Sequence, residues 1–346
     1  MQDWWRRKRI VLLQWEYWPW QIVYLPRFFQ YLYYGTTTGF TFPSLLNRPF
    51  MRYGGMYEES KWEMHQKSPK HWTPTTLKIP KNHQGNALAH WLKTQPIDFP
   101  IILKPDRGMR GKGIHKINNY NELKKLNLAL QFDYLAQQFI DYPKEVGVFC
   151  IKNPINNTWE ITSLMERVFF TLTGDGQSTL EALLRKDDRF FLQLKRLRKS
   201  NDVALNKVLA KNEILKLEAI GNHRLGTQFC NAQQHNTVAL KKAMAQICES
   251  LHGFEYGRFD LKFDSWQDLE QLKNFAILEV NGANAEPAHI YDAQISLGQA
   301  WRITNNHFKQ LHLLAKQAKV NGEKSTPIGE AFHLSRRFSK AMRQLN

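Results

Sequence analysis

The chain has 346 residues, of which 42% are hydrophobic and 23% are charged. This composition excludes a globally disordered chain and suits either one large domain or two to three small ones. The formal net charge of +17 favours anionic partners, but it does not choose among nucleic acid, acidic lipid and phosphorylated or carboxylate substrates.

The cysteines and the N-terminal sequence both indicate where the protein works. Cys150, Cys230 and Cys248 are far apart and form no CxxC pair, which argues against a disulfide framework or a zinc site. Four basic residues at 6–9 precede a short apolar run, but no small-residue cleavage site follows, and no stretch reaches the roughly 20 apolar residues of a spanning helix. We therefore expect a cytoplasmic location, with peripheral contact at the inner face of the membrane.

Three zones follow one another: an aromatic-rich, basic region (1–95), a zone of alternating strands and helices (96–320) and a polar, basic tail (321–346). In the middle zone, apolar periodicity and turn residues predict strands at 99–103, 114–117, 135–140, 145–151, 256–263 and 275–280, and helices at 120–130 and 237–251. Asn119 is placed to cap the first helix and Gly253 to end the second. This alternation predicts an α+β or α/β domain rather than a bundle or a sandwich.

Lys104 ends the first of these strands and is followed by a glycine-rich turn at 108–113. Glycines let backbone N–H groups approach phosphate oxygens closely, and a lysine adds a positive charge. The GxxxxGK[ST] order of a Walker A loop does not occur here. A phosphate-binding loop and a basic surface loop without a ligand explain this segment about equally well.

Two neighbouring predicted strands carry polar residues two apart, Arg258 with Asp260 and Glu279 with Asn281. Residues two apart on a strand point to the same face, so pairing of the strands would bring these four side chains together. Hard oxygen donors of this kind suit Mg²⁺, which commonly keeps waters and bridges substrate phosphates. The alternative is a solvated sheet face with an Arg–Asp ion pair.

Four segments, in this order, resemble the motifs of the ATP-grasp superfamily over about residues 60–305. They are FPIILKP (99–105), the glycine-rich turn, QQFI (137–140) before Glu145, and GRFD (257–260) before LEVN (278–281). The resemblance implies an α+β (α/β) ATP-grasp fold, in which two subdomains grip ATP. Here these would be a small lid at 96–152 and a large subdomain at 153–320 that carries the metal site.

The resemblance also implies which residues contact ATP. They are Lys61, Lys104, Gly108, Arg110, Gly111, Lys112, Gly113, Gln138, Phe139, Ile140 and Glu145. Lys104 would hold the phosphates under the glycine-rich turn, and Glu145 would accept from the ribose hydroxyls. Gln138 stands where many family members have an acidic residue, and its carboxamide would accept from the adenine amine.

The same resemblance implies the metal site and part of the catalytic set. Asp260, Glu279 and Asn281 would hold one or two Mg²⁺ ions, with Mn²⁺ as the alternative. Arg258 would stabilise an acyl phosphate or the tetrahedral species formed from it, and Lys104 would act beside it.

Two further blocks, TGDGQSTL (173–180) after ER (166–167) and LEAIGNHRLGT (217–227), resemble ATP-grasp enzymes that join amino acids or peptides, such as cyanophycin synthetases. That resemblance implies that Arg167, Asn222 and Arg224 face the phosphates and the acyl substrate. VNGANAEPAHIYD (280–292) resembles a set of bacterial D-alanine–D-alanine ligase-like proteins, but the HGxxGE-type segment of D-alanine ligases does not occur in the sequence.

Aromatic residues and arginines crowd the first 35 residues. This pairing suits a membrane interface or a stacked nucleic acid. The alternative, which we favour for most of these residues because two prolines interrupt a long amphipathic helix, is that they pack on the core and line a substrate pocket. We also expect this region to dock on an anionic membrane.

The sequence therefore predicts an ATP-grasp carboxylate–amine ligase that forms an amide or peptide bond on an amino-acid, peptide or cell-envelope substrate. A D-alanine–D-alanine ligase proper and a non-catalytic nucleotide-binding, membrane-surface module remain alternatives. We expect no nucleic-acid partner, because no nucleic-acid-binding module is recognisable. A homodimer is one of the oligomeric states left open.

Overall fold

The computed structural model describes residues 1–81, 83–108, 111–126, 128, 132–200, 203–217, 221 and 223–344, with the backbone alone for Arg224 and Gln344. The strands are β1 (Thr76–Lys78), β2 (Ile101–Pro105), β3 (His115–Ile117), β4 (Tyr134–Gln138), β5 (Lys144–Lys152), β6 (Trp159–Val168), β7 (Thr171–Thr173), β8 (Ile214–Lys216), β9 (Gln228–Asn231), β10 (Tyr256–Phe263) and β11 (Phe275–Asn281). The helices are α1 (Gln2–Leu13), α2 (Trp20–Val23), α3 (Leu25–Thr38), α4 (Lys61–Lys67), α5 (Gly85–Lys93), α6 (Tyr120–Lys125), α7 (Leu180–Lys186), α8 (Asp188–Ser200), α9 (Val238–Glu249), α10 (Trp266–Glu270), α11 (Leu297–Val320) and α12 (Ile328–Gln344).

Two antiparallel sheets organise the described part of the chain. The smaller has the strand order β1-β4-β2-β3, and the larger has the order β11-β10-β5-β6-β9, while β7 and β8 pair separately. Helices pack against both sheets and bury apolar side chains between the layers. This arrangement confirms the predicted α+β class.

The predicted elements of the middle zone occur with small shifts at their ends. β10 coincides with its predicted strand, and α9 begins after Thr237, whose hydroxyl caps it by accepting from the Leu240 N–H. Helix α6 ends at Lys125, earlier than expected, because Leu126 leaves the helix for an extended conformation. Apolar runs bounded by turn residues were therefore sufficient to place the central strands.

The predicted boundaries of the subdomains do not coincide with the way the strands are divided between the two sheets. β1 lies before residue 96 yet pairs with β4 of the smaller sheet, whereas β5, assigned to the lid, pairs with β10 of the larger one. The predicted tail also contains a regular element. Helix α12 spans most of it and buries Ala331 and Leu334.

The smaller sheet is covered on one face by α5 and α6. Leu92 of α5 and Leu123 of α6 pack there against Ile101 and Leu103 of β2. Side chains alternate along a strand, so Lys104 points to the opposite face. The core on one side of the sheet therefore directs this lysine away from α5 and α6.

The larger sheet has two different faces. One is covered by α9 and α10, through a core that includes Phe259 and Leu261 of β10. The other packs on α3 and α11 where Tyr256 of β10 is buried. Arg258 and Asp260 follow Tyr256 on this same face, but they line a cavity instead of meeting a helix. The alternation of β10 thus separates core residues from polar ones.

The N-terminal helices lie against two different parts of the molecule. Ile10 of α1 is buried in a cluster with residues of α7 and α8, and Arg6 pairs with Asp188 at 2.6 Å. Tyr34 of α3 packs on the cluster that contains Phe308 of α11. Within the described residues, none of the helices combines the length and the apolar content that crossing a bilayer requires.

Candidate active site

A cavity of about 850 Å³ lies where β2, β6, β10 and β11 and the N-terminal region meet. Many of the site residues predicted from the sequence line it. They are Lys61, Lys104, Gly108, Gly111, Lys112, Arg167, Arg258, Asp260, Glu279 and Asn281. The structure therefore brings one wall from the smaller sheet and its glycine turn together with a second wall from the larger sheet.

Lys104 is buried in the first wall, where its Nζ donates to Gln137 Oε1 at 2.8 Å. Burial lowers the pKa of Lys104 to about 8, although the nearby Glu279 charge acts in the opposite direction. Gln137 is held in turn by Thr76, to which it donates at 3.0 Å. Sequence reasoning missed this role of Gln137, which follows from the strand register. Lys104 is opposite Leu135 of β4, and Gln137 lies two residues further along β4, so its side chain points to the same face as those of Leu135 and Lys104.

Lys61, at the start of α4, links the two walls. Its Nζ lies 3.2 Å from Glu279 Oε1 and donates to the Gly108 carbonyl at 2.9 Å. The helix start is fixed by Ser60, whose hydroxyl accepts from the Glu63 N–H and donates to Asp106. A phosphate entering between the turn and β11 would therefore meet an ammonium group that is already positioned.

The second wall contains a network of buried charges. Asp260 accepts from Arg258 Nε at 2.8 Å and from Arg167 at 3.0 Å, and Arg167 also pairs with Glu145. Burial alone would raise the pKa of Asp260, but the two guanidinium groups outweigh it and hold that pKa below its usual range. The carboxylate thus stays ionised inside the protein. The structure pairs Glu145 with a guanidinium, and its predicted contact with a ribose stays a prediction.

Two glycines make room for these arginines. A Cβ on Gly147 of β5 would lie 3.2 Å from Arg258 Cδ and 3.5 Å from Asp260 Oδ1. A Cβ on Gly221 would lie only 2.7 Å from Arg167 Cδ. Sequence reasoning missed both positions. For Gly147 the signal was present, since a glycine inside an apolar strand often marks a close approach of other groups.

The three predicted metal ligands lie on two paired strands. Asp260 is directly opposite Glu279, and Asn281 is opposite Arg258. The Asn281 Nδ2 atom is buried without a hydrogen-bond partner among the described residues. These oxygen ligands suit a hard divalent cation. Glu279 and Asn281 are the more available ligands, because both Asp260 oxygens already accept hydrogen bonds from arginines. No group of three or more His, Cys, Asp or Glu side chains gathers as a metal cluster in the described part of the chain.

Glu59 is a cavity residue that the sequence did not single out. Its Oε1 accepts from the Gly282 N–H at 2.8 Å, directly after the metal strand. Burial raises the pKa of Glu59 to about 7, and the negative charge of Glu279 adds to this. A carboxyl group that exchanges its proton near neutral pH is a common feature of enzyme sites.

The predicted adenine segment lies at the junction of the two sheets, outside the residues that line the cavity. Gln138 accepts from the Asp98 N–H at 3.2 Å, and the Phe139 ring lies 3.8 Å from Lys116 Nζ. The Ile140 carbonyl accepts from Lys262 Nζ at 3.0 Å. Gly113 has a positive φ of 68°, as a tight turn requires. Arg110, Asn222 and the side chain of Arg224 lie outside the described residues.

The N-terminal region contributes the remaining wall of the cavity, through residues that include Tyr17, Trp18 and Tyr24. Glu16 is fixed there by Arg189 at 2.9 Å and by His223 at 2.9 Å. Part of the aromatic region therefore encloses the same space as the charged residues.

No known family model matches the chain, and no curated protein matches it. Many solved structures are similar to it. Three of them are a bifunctional glutathione synthetase from Pasteurella multocida (17% identity, 69% of this chain and 34% of that one, TM-score 0.38), the VanG D-Ala:D-Ser ligase from Enterococcus faecalis (12%, 76% and 64%, 0.42) and a D-alanine–D-alanine ligase from Bacillus anthracis (11%, 77% and 72%, 0.43).

The chain spans about a third of the first of these proteins and less than two thirds of the second. Two antiparallel sheets bring Lys104, the glycine turn and the β10–β11 residues to one cavity, in agreement with the predicted α+β fold in which two subdomains enclose the site.

Proposed function

We propose that the protein is an ATP-dependent ligase that joins a carboxylate to an amine through an acyl phosphate. One observation carries this proposal: a single cavity is lined by Lys61 and Lys104 on one side and by Arg258, Asp260 and Glu279 on the other. Cations for a polyphosphate and oxygen donors for a divalent ion thus line the same cavity, where Lys61 Nζ and Glu279 Oε1 lie 3.2 Å apart.

The site also suits the chemistry of the reaction. A carboxylate oxygen attacks the γ-phosphorus of ATP and releases ADP, and an amine then displaces phosphate from the acyl carbon. Phosphoryl transfer of this kind depends on positioning and charge neutralisation more than on a protein nucleophile. Mg²⁺ would supply charge neutralisation at the phosphates, held by Glu279 and Asn281 and by Asp260 where the arginines release it.

The protein's own groups would then have separate tasks. Lys104 keeps its charge at neutral pH, where its pKa of about 8 favours the ammonium form, and would bind the phosphates. Arg258 and Arg167 donate hydrogen bonds to Asp260, and they would donate to the acyl phosphate instead as negative charge develops there. The aromatic wall would enclose the organic part of the substrates and exclude water.

Replacing Glu279 by glutamine tests the proposal. Glu279→Gln keeps the shape but removes one negative charge from the metal site, so we expect ADP release to fall at least about 100-fold. The measurement is ADP release over pairs of amino acids, dipeptides and cell-wall precursors, with mass spectrometry of the product. Glu249→Gln, at the end of α9, is the matched control and should leave the rate unchanged.

A second variant separates binding from chemistry. Lys104→Ala should raise the dissociation constant of ATP about tenfold or more, because a buried ammonium partner of the phosphates is lost.

Near wild-type turnover in Glu279→Gln would refute the metal assignment. Tight ATP binding by the wild type without ADP release from any pair would instead favour the non-catalytic nucleotide-binding module.

A further inference from the structure

We propose that the outward faces of α1, α2 and α3 bind the surface of an anionic membrane. The first observation is where large apolar side chains are exposed. Of the 22 exposed large hydrophobic side chains in the described part of the chain, 13 belong to the first 40 residues. Scattered exposed apolar residues are normal, but such a concentration marks a site of interaction.

Helix α3 shows the pattern most clearly. Five of its exposed side chains follow helical spacing and are large and apolar: Leu25, Phe28, Phe29, Leu32 and Tyr33, each at least 40% exposed. The other two, Thr36 and Thr37, lie at the C-terminal end of the helix. Its inward face is also aromatic, since Tyr31 and Tyr34 pack against the core under α11. A helix that is apolar on both sides requires a second apolar environment, which water does not provide.

Helix α1 adds positive charge to the same kind of surface. Beyond Gln2 at its start, its exposed side chains come in adjacent pairs: Trp4 with Trp5, Lys8 with Arg9, and Leu12 with Leu13. Lys8 Nζ lies 5.5 Å from the Trp4 ring, so charge and indole belong to one patch. Tryptophan beside basic residues is typical of helices that lie at the lipid interface.

The acidic residues of this region do not offset that charge. Asp3 is bound by Arg185 at 2.8 Å, and Glu16 is bound inside the cavity wall by Arg189 and His223. The Asp3 side chain is 47% exposed, but its charge is neutralised by Arg185, so the net exposed charge of α1 is the positive charge of Lys8 and Arg9. Anionic lipid headgroups complement it, and the acyl region accommodates the aromatic side chains.

A second copy of the chain fits this surface less well. In a two-fold symmetric dimer the same patch would face itself, so the basic pairs at 8–9 would approach each other. The net charge of +17 adds to that repulsion. A bilayer surface offers the opposite charge and an apolar layer together, and we therefore assign it as the occupant.

The surface is also next to the cavity. Trp20 and Val23 of α2 line the cavity, while Trp20 is 60% and Ile22 is 50% exposed. Binding of α2 to a bilayer would place the cavity beside the headgroups. This inference does not depend on the reaction catalysed there.

Sedimentation of the full-length protein with vesicles tests the inference. We expect binding to phosphatidylcholine vesicles with about one third phosphatidylglycerol, weak binding to phosphatidylcholine alone, and a loss of the preference near about 1 M salt. The combined variant Trp4→Ser, Trp5→Ser, Phe28→Ser and Phe29→Ser should reduce partitioning at least about tenfold. Lys8→Gln with Arg9→Gln should reduce the preference for anionic vesicles.

The matched control replaces two exposed apolar residues elsewhere, Ile155 (92% exposed) and Val238 (83% exposed), by serine. It should bind vesicles like the wild type. Circular dichroism and urea unfolding show whether each variant is folded. Equal binding to neutral and anionic vesicles would overturn the proposal. If the protein does not bind vesicles, two other results would also overturn the proposal. One is a dimer that the α1 and α3 substitutions abolish, and the other is binding to single-stranded RNA.

Discussion

The cavity and the N-terminal helices both reverse the usual distribution of side chains, but in opposite ways. In the cavity wall, Asp260 is charged and buried, and it pairs with Arg167, whose guanidinium-bearing side chain is only 13% exposed. On α3, Phe28 and Phe29 are apolar and exposed, more than half of each being open to solvent. Neither arrangement is favourable for an isolated soluble protein.

The difference between the two regions lies in how each arrangement is compensated. The buried charges have partners within the chain, so removing one member leaves the other unpaired. The exposed rings of Phe28 and Phe29 contact each other edge to face but belong to none of the core clusters of the described residues, so removing them takes little from the folded core. Stability measurements can therefore tell an internally compensated site from a surface that awaits an external partner.

The largest expected effect is on the buried charge network. Arg167→Met leaves Glu145 without its guanidinium partner and Asp260 with only Arg258, so we expect the free energy of unfolding to fall by about 3–5 kcal/mol. Urea unfolding at pH 7 measures this. Arg167→Lys keeps the positive charge but loses the planar guanidinium that contacts both carboxylates. Its free energy of unfolding should therefore lie between those of the wild type and Arg167→Met. A change below about 1 kcal/mol in Arg167→Met would show that the network is solvated.

The second prediction contrasts the two faces of α3. The Tyr34 ring stacks on His312, with centroids 4.0 Å apart, whereas the Phe29 ring is 62% exposed. Tyr34→Ala should lower the free energy of unfolding by about 2–3 kcal/mol. Phe29→Ala should change it by no more than about 0.5 kcal/mol. Similar losses in both variants would mean that Phe29 packs within the fold and that the exposed face is misassigned.

The smallest expected effect, taken per residue and per pH unit, comes from two buried histidines, His307 of α11 and His289 in the turn at Ala288–Tyr291. Burial lowers the pKa of His307 to about 3 and that of His289 to about 4, both below the ordinary value near 6.5. Below pH 6.5 the unfolded chain therefore binds protons that the folded chain does not. The free energy of unfolding should fall as the pH drops from about 6.5 to 4, by up to about 1.4 kcal/mol per pH unit for each histidine.

Unfolding at a series of pH values checks this dependence. In His307→Gln, the free energy of unfolding should depend less steeply on pH, by about the contribution of one histidine. This holds even if the substitution also lowers the free energy of unfolding at pH 7. His252→Gln, at an exposed position, is the control and should leave the slope unchanged. An unaltered slope in His307→Gln would show that His307 is protonated in the folded protein.

Much of the fold followed from local sequence. β10 and α9 were predicted within a residue or two, because apolar periodicity and neighbouring caps define them. β1 was missed because three residues carry too little pattern, and its strand pairing with β4 is set by tertiary contacts. α12 was expected as a tail because its sequence is strongly basic and only Ala331 and Leu334 of its described side chains are buried.

The candidate site could be predicted in part for the same reason. The alternation of side chains along β10 and β11 was enough to place Arg258 with Asp260, and Glu279 with Asn281, on a common face. The pairing of Arg167 with Asp260 joins residues 93 positions apart and leaves no local signal. The raised pKa of Glu59 depends on burial beside Gly282, which sequence spacing does not reveal.

Gly221 has a consequence for how such sites diverge. It carries no chemistry, yet any side chain there would occupy the space that Arg167 needs. A single substitution to alanine would therefore disturb the charge network while leaving every charged and polar residue of the cavity unchanged. During evolution a chain could lose its activity at this position without any change in its candidate ATP-binding or metal-binding residues. Two homologues with identical sets of such residues would then differ in function because one of them lacks an empty volume.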